Sequence, residues 1–183
     1  MKRTGRGILP RSTEVPAPAP QTPTEWATMR ITDILQPACV KVPLAATTKQ
    51  DAIFELVDLL AASGAVSSAD QLKQAVWQRE QTRTTGIGHG IAIPHGKVTG
   101  CARLVMAIGK AAAPIDFDAI DRKPVDLIIL LASPVDQTGP HIQALARISR
   151  LLTDEPFRLA MRSATSSEDL FKLIQEHEAK LPG

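Results

Sequence analysis

Apolar residues recur at helical spacing in the first half of the folded part of the chain. One stripe consists of Ile53, Leu56, Val57 and Leu60. Thr48 precedes it with Asp51 three residues on, which predicts an N-cap, and Gly64 predicts the end of the helix. A second helix is predicted from near Ser68 to just before Gly86. Its stripe consists of Leu72, Ala75, Val76 and Arg79.

Strand-like apolar runs occur before the first of these helices and again after residue 100. Strands are predicted near residues 39–44 and at 104–108 and 127–132; the last has no polar alternation, so we expect cover on both its faces. A helix opened by Thr138-Gly139-Pro140 follows, with an apolar series of Ile142, Leu145, Ile148 and Leu152. The last helix is predicted from Ser166, carrying Leu170, Phe171 and Ile174. This order predicts an α/β single-domain sandwich, with a mixed central sheet flanked by helices on both faces.

The most distinctive stretch, residues 84–97, reads Thr-Thr-Gly-Ile-Gly-His-Gly-Ile-Ala-Ile-Pro-His-Gly-Lys. Its glycines permit tight turns, and Pro94 should stop the short strand before it. His95 then lies between a rigid proline and a permissive glycine, a placement suited to presenting a ring nitrogen to a partner. The glycine pattern fits neither a P-loop nor a dinucleotide fingerprint. Spacing alone leaves open whether His95 reacts or is an ordinary loop residue.

A second histidine, His141, follows Pro140 in the first turn of a predicted helix. Free backbone N–H groups and the positive end of the helix dipole gather there, which favours a nearby anion such as phosphate and a neutral imidazole. A histidine that merely faces water is an equal alternative on these grounds. Arg79 and Glu80 fall on the last turn of the helix that leads into residues 84–97, where a solvated charged pair is ordinary.

Composition restricts the remaining possibilities. The 183 residues are 44% hydrophobic with a net charge of +2, which suits one globular domain. Residues 1–28 are rich in proline and alanine and are expected to be a disordered tail, whose few basic residues do not predict a nucleic-acid arm. No apolar run is long enough for a membrane span, and no apolar signal core precedes the domain. Two scattered cysteines predict no disulfide framework and suit a reducing cytoplasm.

Residues 86–97 closely resemble the active-site segment of enzyme IIA of the fructose/mannitol type, from the bacterial phosphoenolpyruvate-dependent phosphotransferase system. The resemblance covers roughly residues 29–179 and is greatest to the nitrogen-regulatory branch. It implies a phosphocarrier domain at residues 29–183 with a mixed sheet flanked by helices. It further implies that His95 accepts a phosphoryl group on Nε2 from a histidine-containing phosphocarrier protein (HPr- or NPr-like). His141 and Arg79 are implied to lie near the phosphorylated ring.

The resemblance implies no cofactor and no metal, because donor and acceptor are both histidines. It favours a nitrogen- or potassium-type regulatory role with regulated target proteins, since no transporter domain adjoins the segment. Transfer to a separate fructose- or mannitol-type transporter is the alternative. A remote alternative is a zinc hydrolase built on His89, His95 and His141; His89 is otherwise expected on the rim of the site.

Overall fold

The structure is a computed structural model that describes residues 29–180, so the predicted tail of residues 1–28 lies outside the described residues. The described helices are α1 Ile31–Ile34, α2 Lys49–Ala62, α3 Ala69–Thr82, α4 Thr138–Leu151, α5 Glu155–Ser163 and α6 Ser167–Lys180. The described strands are β1 Leu35–Leu44, β2 Gly86–Gly88, β3 Ile91–Ala92, β4 His95–Lys97, β5 Val105–Ile115 and β6 Val125–Ser133.

The strands form one mixed sheet in the order β1-β5-β6-β3-β2, and β4 continues beyond β3 along β6. Strand β6 runs antiparallel to β5 and parallel to β3 and β4, whereas β1 and β5 are parallel. Every residue from Leu127 to Ser133 is buried, as expected for a strand covered on both faces. The predicted α/β sandwich with a mixed sheet is therefore confirmed.

The two faces of the sheet are covered by different helices. Met106 and Ile129 line one apolar cavity with residues of α4, α5 and α6. On the opposite face, a Cβ added at Gly96 would lie 2.8 Å from Val76 of α3. Since alternate strand residues face opposite sides, His95 points to the face that carries α4, α5 and α6.

The predicted cap of α2 is present, and α3 begins with a cap at its predicted start, Ser68. The Thr48 hydroxyl accepts a hydrogen bond from the Asp51 amide, and Ser68 accepts one from Gln71. The buried stripe of α3 differs from the prediction, because it continues from Leu72 and Val76 to Glu80 and not to Arg79. Leu72, Val76 and Glu80 are spaced by four residues and lie on one face of the helix. The Glu80 carboxylate is therefore buried, and Arg79 next to it is only half-buried.

Two further elements were mispredicted or missed. The buried face of α4 consists of His141, Ala144, Ile148 and Leu151, whereas Ile142 is 59% exposed. Helix α5 was not predicted, although Asp154 caps it by accepting from the Phe157 amide and Pro156 lies in its first turn. Among the described residues, no helix has both the length and the apolar character needed to cross a membrane.

The chain around Pro94 departs from the expected loop. Pro94 interrupts the strand as predicted, but its carbonyl accepts a hydrogen bond of 3.0 Å from the Leu131 amide. The chain then rejoins β6, with His95 opposite Leu131 and Lys97 opposite Ser133. Proline lacks only the donor, so β6 can continue to pair through the proline carbonyl. His95 therefore begins a strand and is more firmly placed than a loop residue.

Candidate functional site

The orientation of the His95 ring is fixed by its own chain segment. Its Nδ1 lies 2.8 Å from the carbonyl oxygen of Ile93. A carbonyl can only accept, so Nδ1 carries the proton and donates it in this bond. In the neutral ring, Nε2 then holds the lone pair. A backbone carbonyl of residues 84–97 thus holds the second nitrogen of the ring.

The surroundings of His95 favour the neutral ring. Burial lowers the pKa of His95 below its ordinary value, although the hydrogen bond to Ile93 opposes this effect. The positive charges of Arg79 and Lys97 lower this pKa further, and the Glu80 carboxylate raises it. The net shift is downward, so at neutral pH most of the His95 rings are uncharged and nucleophilic.

His141 lies beside His95 at the start of α4. The two ring centroids are 5.5 Å apart, and the ring planes are inclined by 58°. His141 is only 4% exposed, and burial together with repulsion from His95 and Lys97 lowers its pKa to about 4. The ring is therefore neutral at physiological pH, as expected for a histidine at the positive end of a helix. Its Nδ1 lies 2.7 Å from the hydroxyl oxygen of Ser133.

The predicted Arg79 lies at the margin of this pair. Its guanidinium donates to the carbonyl oxygen of Arg83 at 2.8 Å, and its charge reaches His95 through space. The positive charge of Lys97 lowers the pKa of both rings, and the sequence analysis did not identify this residue. Its ammonium donates to the hydroxyl of Thr138 at 2.8 Å. The missed signal was its position two residues after His95, which places both side chains on one face of a strand.

Glu80 holds the chain segment that leads to His95, and it was also missed by the sequence analysis. One of its carboxylate oxygens accepts both the amide N–H of Thr85, at 3.0 Å, and the Thr85 hydroxyl. The carbonyl of Thr85 in turn accepts the Ile93 amide at 2.9 Å, and the Ile93 carbonyl accepts from His95. A chain of hydrogen bonds therefore runs from α3 to the His95 ring.

The turn between β2 and β3 depends on glycine. Gly88, His89 and Gly90 all have positive φ, at 87°, 57° and 77°. A Cβ at Gly90 would also lie 2.5 Å from the guanidinium of Arg162, which pairs with Asp126 through two hydrogen bonds. Glycine is thus required at position 90 by both backbone conformation and space.

His89 is exposed, and its amide donates to Asp121 at 2.9 Å. Within residues 29–180, no three His, Cys, Asp or Glu side chains come close enough together to hold a metal ion. The three histidines of the zinc alternative therefore form no metal site in this part of the chain. Only His95 and His141 are brought together.

A groove lined by both apolar and charged residues lies next to the turn between β2 and β3. We call it the Ile87 groove; its large exposed apolar side chains are Ile87, Ile120 and Leu159. Ile87 is 36% exposed on the edge strand β2, as expected for a residue between two glycines. Ile91 and Ile93, in contrast, are buried in the core.

The fold and the site together define an α/β domain in which two neutral imidazoles, His95 and His141, lie side by side and are each held by a hydrogen bond. The family model described as phosphoenolpyruvate-dependent sugar phosphotransferase system, EIIA 2, matches residues 33–177. The chain therefore belongs to this family and is a component of a phosphotransferase system.

Two relatives show the two branches of the family. A nitrogen regulatory protein of Klebsiella oxytoca is 36% identical over 149 residues, which cover 81% of this chain and 91% of that protein. The fructose-specific EIIABC component of Bacillus subtilis is 31% identical over 150 residues, or 82% of this chain. This chain spans only 24% of the length of the Bacillus protein.

A solved structure has the same fold. The crystal structure of nitrogen regulatory protein IIA-Ntr from Neisseria meningitidis superposes with a TM-score of 0.72 at 28% identity. The match covers 79% of this chain and 98% of the Neisseria chain. The fold similarity thus extends over nearly the whole of that regulatory protein.

Proposed function

We propose that this chain is a phosphohistidine carrier, in which Nε2 of His95 accepts a phosphoryl group from the phosphohistidine of a small carrier protein. The observation that carries the proposal is the hydrogen bond of 2.8 Å between Nδ1 of His95 and the Ile93 carbonyl. It assigns the proton to Nδ1 and the lone pair to Nε2. The Nε2–P bond forms as the N–P bond of the donor breaks, and the donor ring keeps the electron pair of that bond.

The surrounding groups suit such a transfer, which depends on positioning and charge stabilisation more than on covalent chemistry. The His141 ring and the free N–H groups at the start of α4 can donate to phosphoryl oxygens. Arg79 and Lys97 supply positive charge close to His95. The proposed transfer needs no metal ion, because the phosphoryl group passes from one imidazole to another.

A regulatory role is the better supported use of this chemistry. The nitrogen regulatory protein of Klebsiella oxytoca is matched over 91% of its length, whereas this chain spans only 24% of the fructose-specific component of Bacillus subtilis. We propose that the chain binds regulated target proteins according to whether His95 is phosphorylated. Transfer to a sugar-type EIIB partner is the second candidate, favoured by the match to the fructose-specific component.

Phosphorylation is tested by incubating the protein with labelled phosphoenolpyruvate, enzyme I and the histidine carrier. Wild type should take up acid-labile, base-stable label, and His95→Ala should take up none. His177→Ala is the matched control, because this histidine stacks on Phe157 with ring centroids 3.8 Å apart and belongs to another part of the fold. Label retained by His95→Ala would overturn the proposal.

The choice between regulation and sugar transport is tested by a chase. Purified phosphorylated protein is mixed with a fructose-specific EIIB domain or, separately, with unphosphorylated carrier protein. A regulatory protein should return its label to the carrier and pass little to EIIB. Rapid, complete transfer to EIIB would assign the chain to sugar transport instead.

A further inference from the structure

Ser133 is a buried hydroxyl at the end of β6 that the transfer reaction described above does not use. Its side chain is fully enclosed, with 0% of the residue exposed. Its hydroxyl oxygen lies 2.7 Å from Nδ1 of His141. Its backbone is held as well, since the Ser133 carbonyl accepts from the Val98 amide at 3.0 Å.

The direction of this hydrogen bond determines which nitrogen of His141 carries the proton. Within residues 29–180 the Ser133 hydroxyl has no other hydrogen-bond partner. A buried O–H group without an acceptor costs about 1–3 kcal/mol, whereas an oxygen lone pair without a donor is tolerated more readily. The hydroxyl therefore donates to Nδ1, and in the neutral ring the proton resides on Nε2.

We infer that Ser133 is a positioning residue, which holds His141 as the Nε2–H tautomer so that this ring can donate a hydrogen bond to the phosphoryl group transferred to His95. The inference rests on the proposed function, because it specifies how His141 assists that transfer. With the opposite tautomer, Nε2 would present a lone pair towards anionic phosphoryl oxygens and would repel them.

The placement of Ser133 also links the two rings mechanically. Strand β4 pairs with β6 so that His95 lies opposite Leu131 and Lys97 lies opposite Ser133. Two residues of a strand span roughly 7 Å. One rigid pair of strands therefore carries both the nucleophilic ring and the hydroxyl that orients its neighbour. Sites built on such elements keep their geometry better than sites on loops.

The direct test is the tautomer of His141 in the wild-type protein, measured by nitrogen NMR of histidine-labelled protein at pH 7.5. The Nε2–H form should predominate. In Ser133→Ala, which removes the donor, the ring should become a mixture of both tautomers. Ser133→Thr retains a hydroxyl and should restore the wild-type spectrum. A wild-type ring protonated on Nδ1 would overturn the inference without any variant.

The kinetic test measures single-turnover transfer from phosphorylated carrier protein. Ser133→Ala should slow transfer about 10- to 100-fold, the range for weakening one oriented donor, while label still reaches His95. Ser163→Ala is the matched control, because this serine is exposed at the end of α5 and its hydroxyl donates to the Leu159 carbonyl; it should transfer at the wild-type rate.

Combining the variants separates positioning from a general loss of stability. In a His141→Ala background, Ser133→Ala should cause no further loss of rate, because the ring that it orients is gone. Full additivity of the two losses would overturn the inference. Absence of label on wild-type His95 would instead defeat the proposed function, and the NMR result would remain a separate measurement.

Discussion

Ile93 holds the ring of His95 from only two residues away, through a hydrogen bond of 2.8 Å between its carbonyl and Nδ1. The Pro94 between them has a fixed φ, so the carbonyl and the ring are joined by a stiff connection. Ile93 is itself tied to Thr85 by its amide. Nε2 of His95 is thus oriented before any partner arrives, which would lower the entropy cost of the proposed transfer.

We expect His141→Ala to lower the rate of phosphoryl transfer to His95 by about one to three orders of magnitude. The variant removes a hydrogen-bond donor at a charged transition state but leaves the nucleophile in place, so His95 should still take up label. Single-turnover kinetics with phosphorylated carrier protein measure the rate. His177→Ala serves as the control, since this ring stacks on Phe157 and is outside the histidine pair. Unchanged kinetics in His141→Ala would mean that the His141 ring has no part in transfer.

The stability of the fold should depend on pH through His141. Burial lowers the pKa of this ring to about 4, from about 6.5 in the unfolded chain. Between these two pH values, the unfolded chain binds a proton at His141 and the folded chain does not. The stabilising contribution is complete above pH 6.5 and is lost progressively as the pH falls towards 4.

Thermal melts of wild type and His141→Gln across pH 4 to 8 check this linkage. The wild-type melting temperature should fall more steeply below pH 6.5 than that of His141→Gln, which has no ring to protonate. Parallel profiles for wild type and His141→Gln would contradict the assigned burial of a neutral imidazole.

Ile87 and Ile93 should respond differently to the same substitution. Ile87 is 36% exposed in the Ile87 groove, whereas Ile93 is 4% exposed. Ile87→Glu should weaken docking of the carrier protein while changing the free energy of unfolding by no more than about 1 kcal/mol. Ile93→Glu buries an unpaired charge and should cost about 3 kcal/mol or more. Melts and transfer assays on both variants are the measurement; equal destabilisation would place Ile87 in the core and the docking surface elsewhere.

Glu80 should matter for both stability and transfer. Glu80→Ala leaves the two donors of Thr85 without their acceptor and should lower the free energy of unfolding by about 3 kcal/mol. Glu80→Gln keeps an oxygen that can accept both bonds and should be milder, because it loses mainly the attraction to Lys49, whose ammonium lies 3.7 Å from the second oxygen.

Urea unfolding and transfer rates of these two variants give the comparison. Transfer should slow in Glu80→Ala, since the segment that holds His95 is loosened. Glu176→Ala is the surface control, because its pair with Lys172 is largely exposed and should be worth little. A Glu80→Ala protein as stable and as active as wild type would exclude a supporting role for this carboxylate.

Local sequence signals predicted much of the framework. Thr48 and Ser68 cap the helices at the expected positions, because capping needs only a side-chain oxygen and an amide three residues away. The unbroken apolar run of β6 predicted a strand covered on both faces. The stretch around Pro94 and His95 carried the family resemblance. Each of these signals depends on residues close together in the chain.

The assembly of the site was decided by contacts between distant residues. His141 turns inward because β6 brings Ser133 beneath it, while the apolar Ile142 next to it stays exposed. His95 begins a strand because β6 supplies the pairing partners that no local pattern reveals. Glu80, not Arg79, is buried, and Thr85, although only five residues further on, can offer it two donors because the chain turns back from α3 into β2. The sequence alone determined which residues could react and where helices begin; the tertiary structure determined which of them meet, because a buried polar group takes its position from partners that folding brings to it.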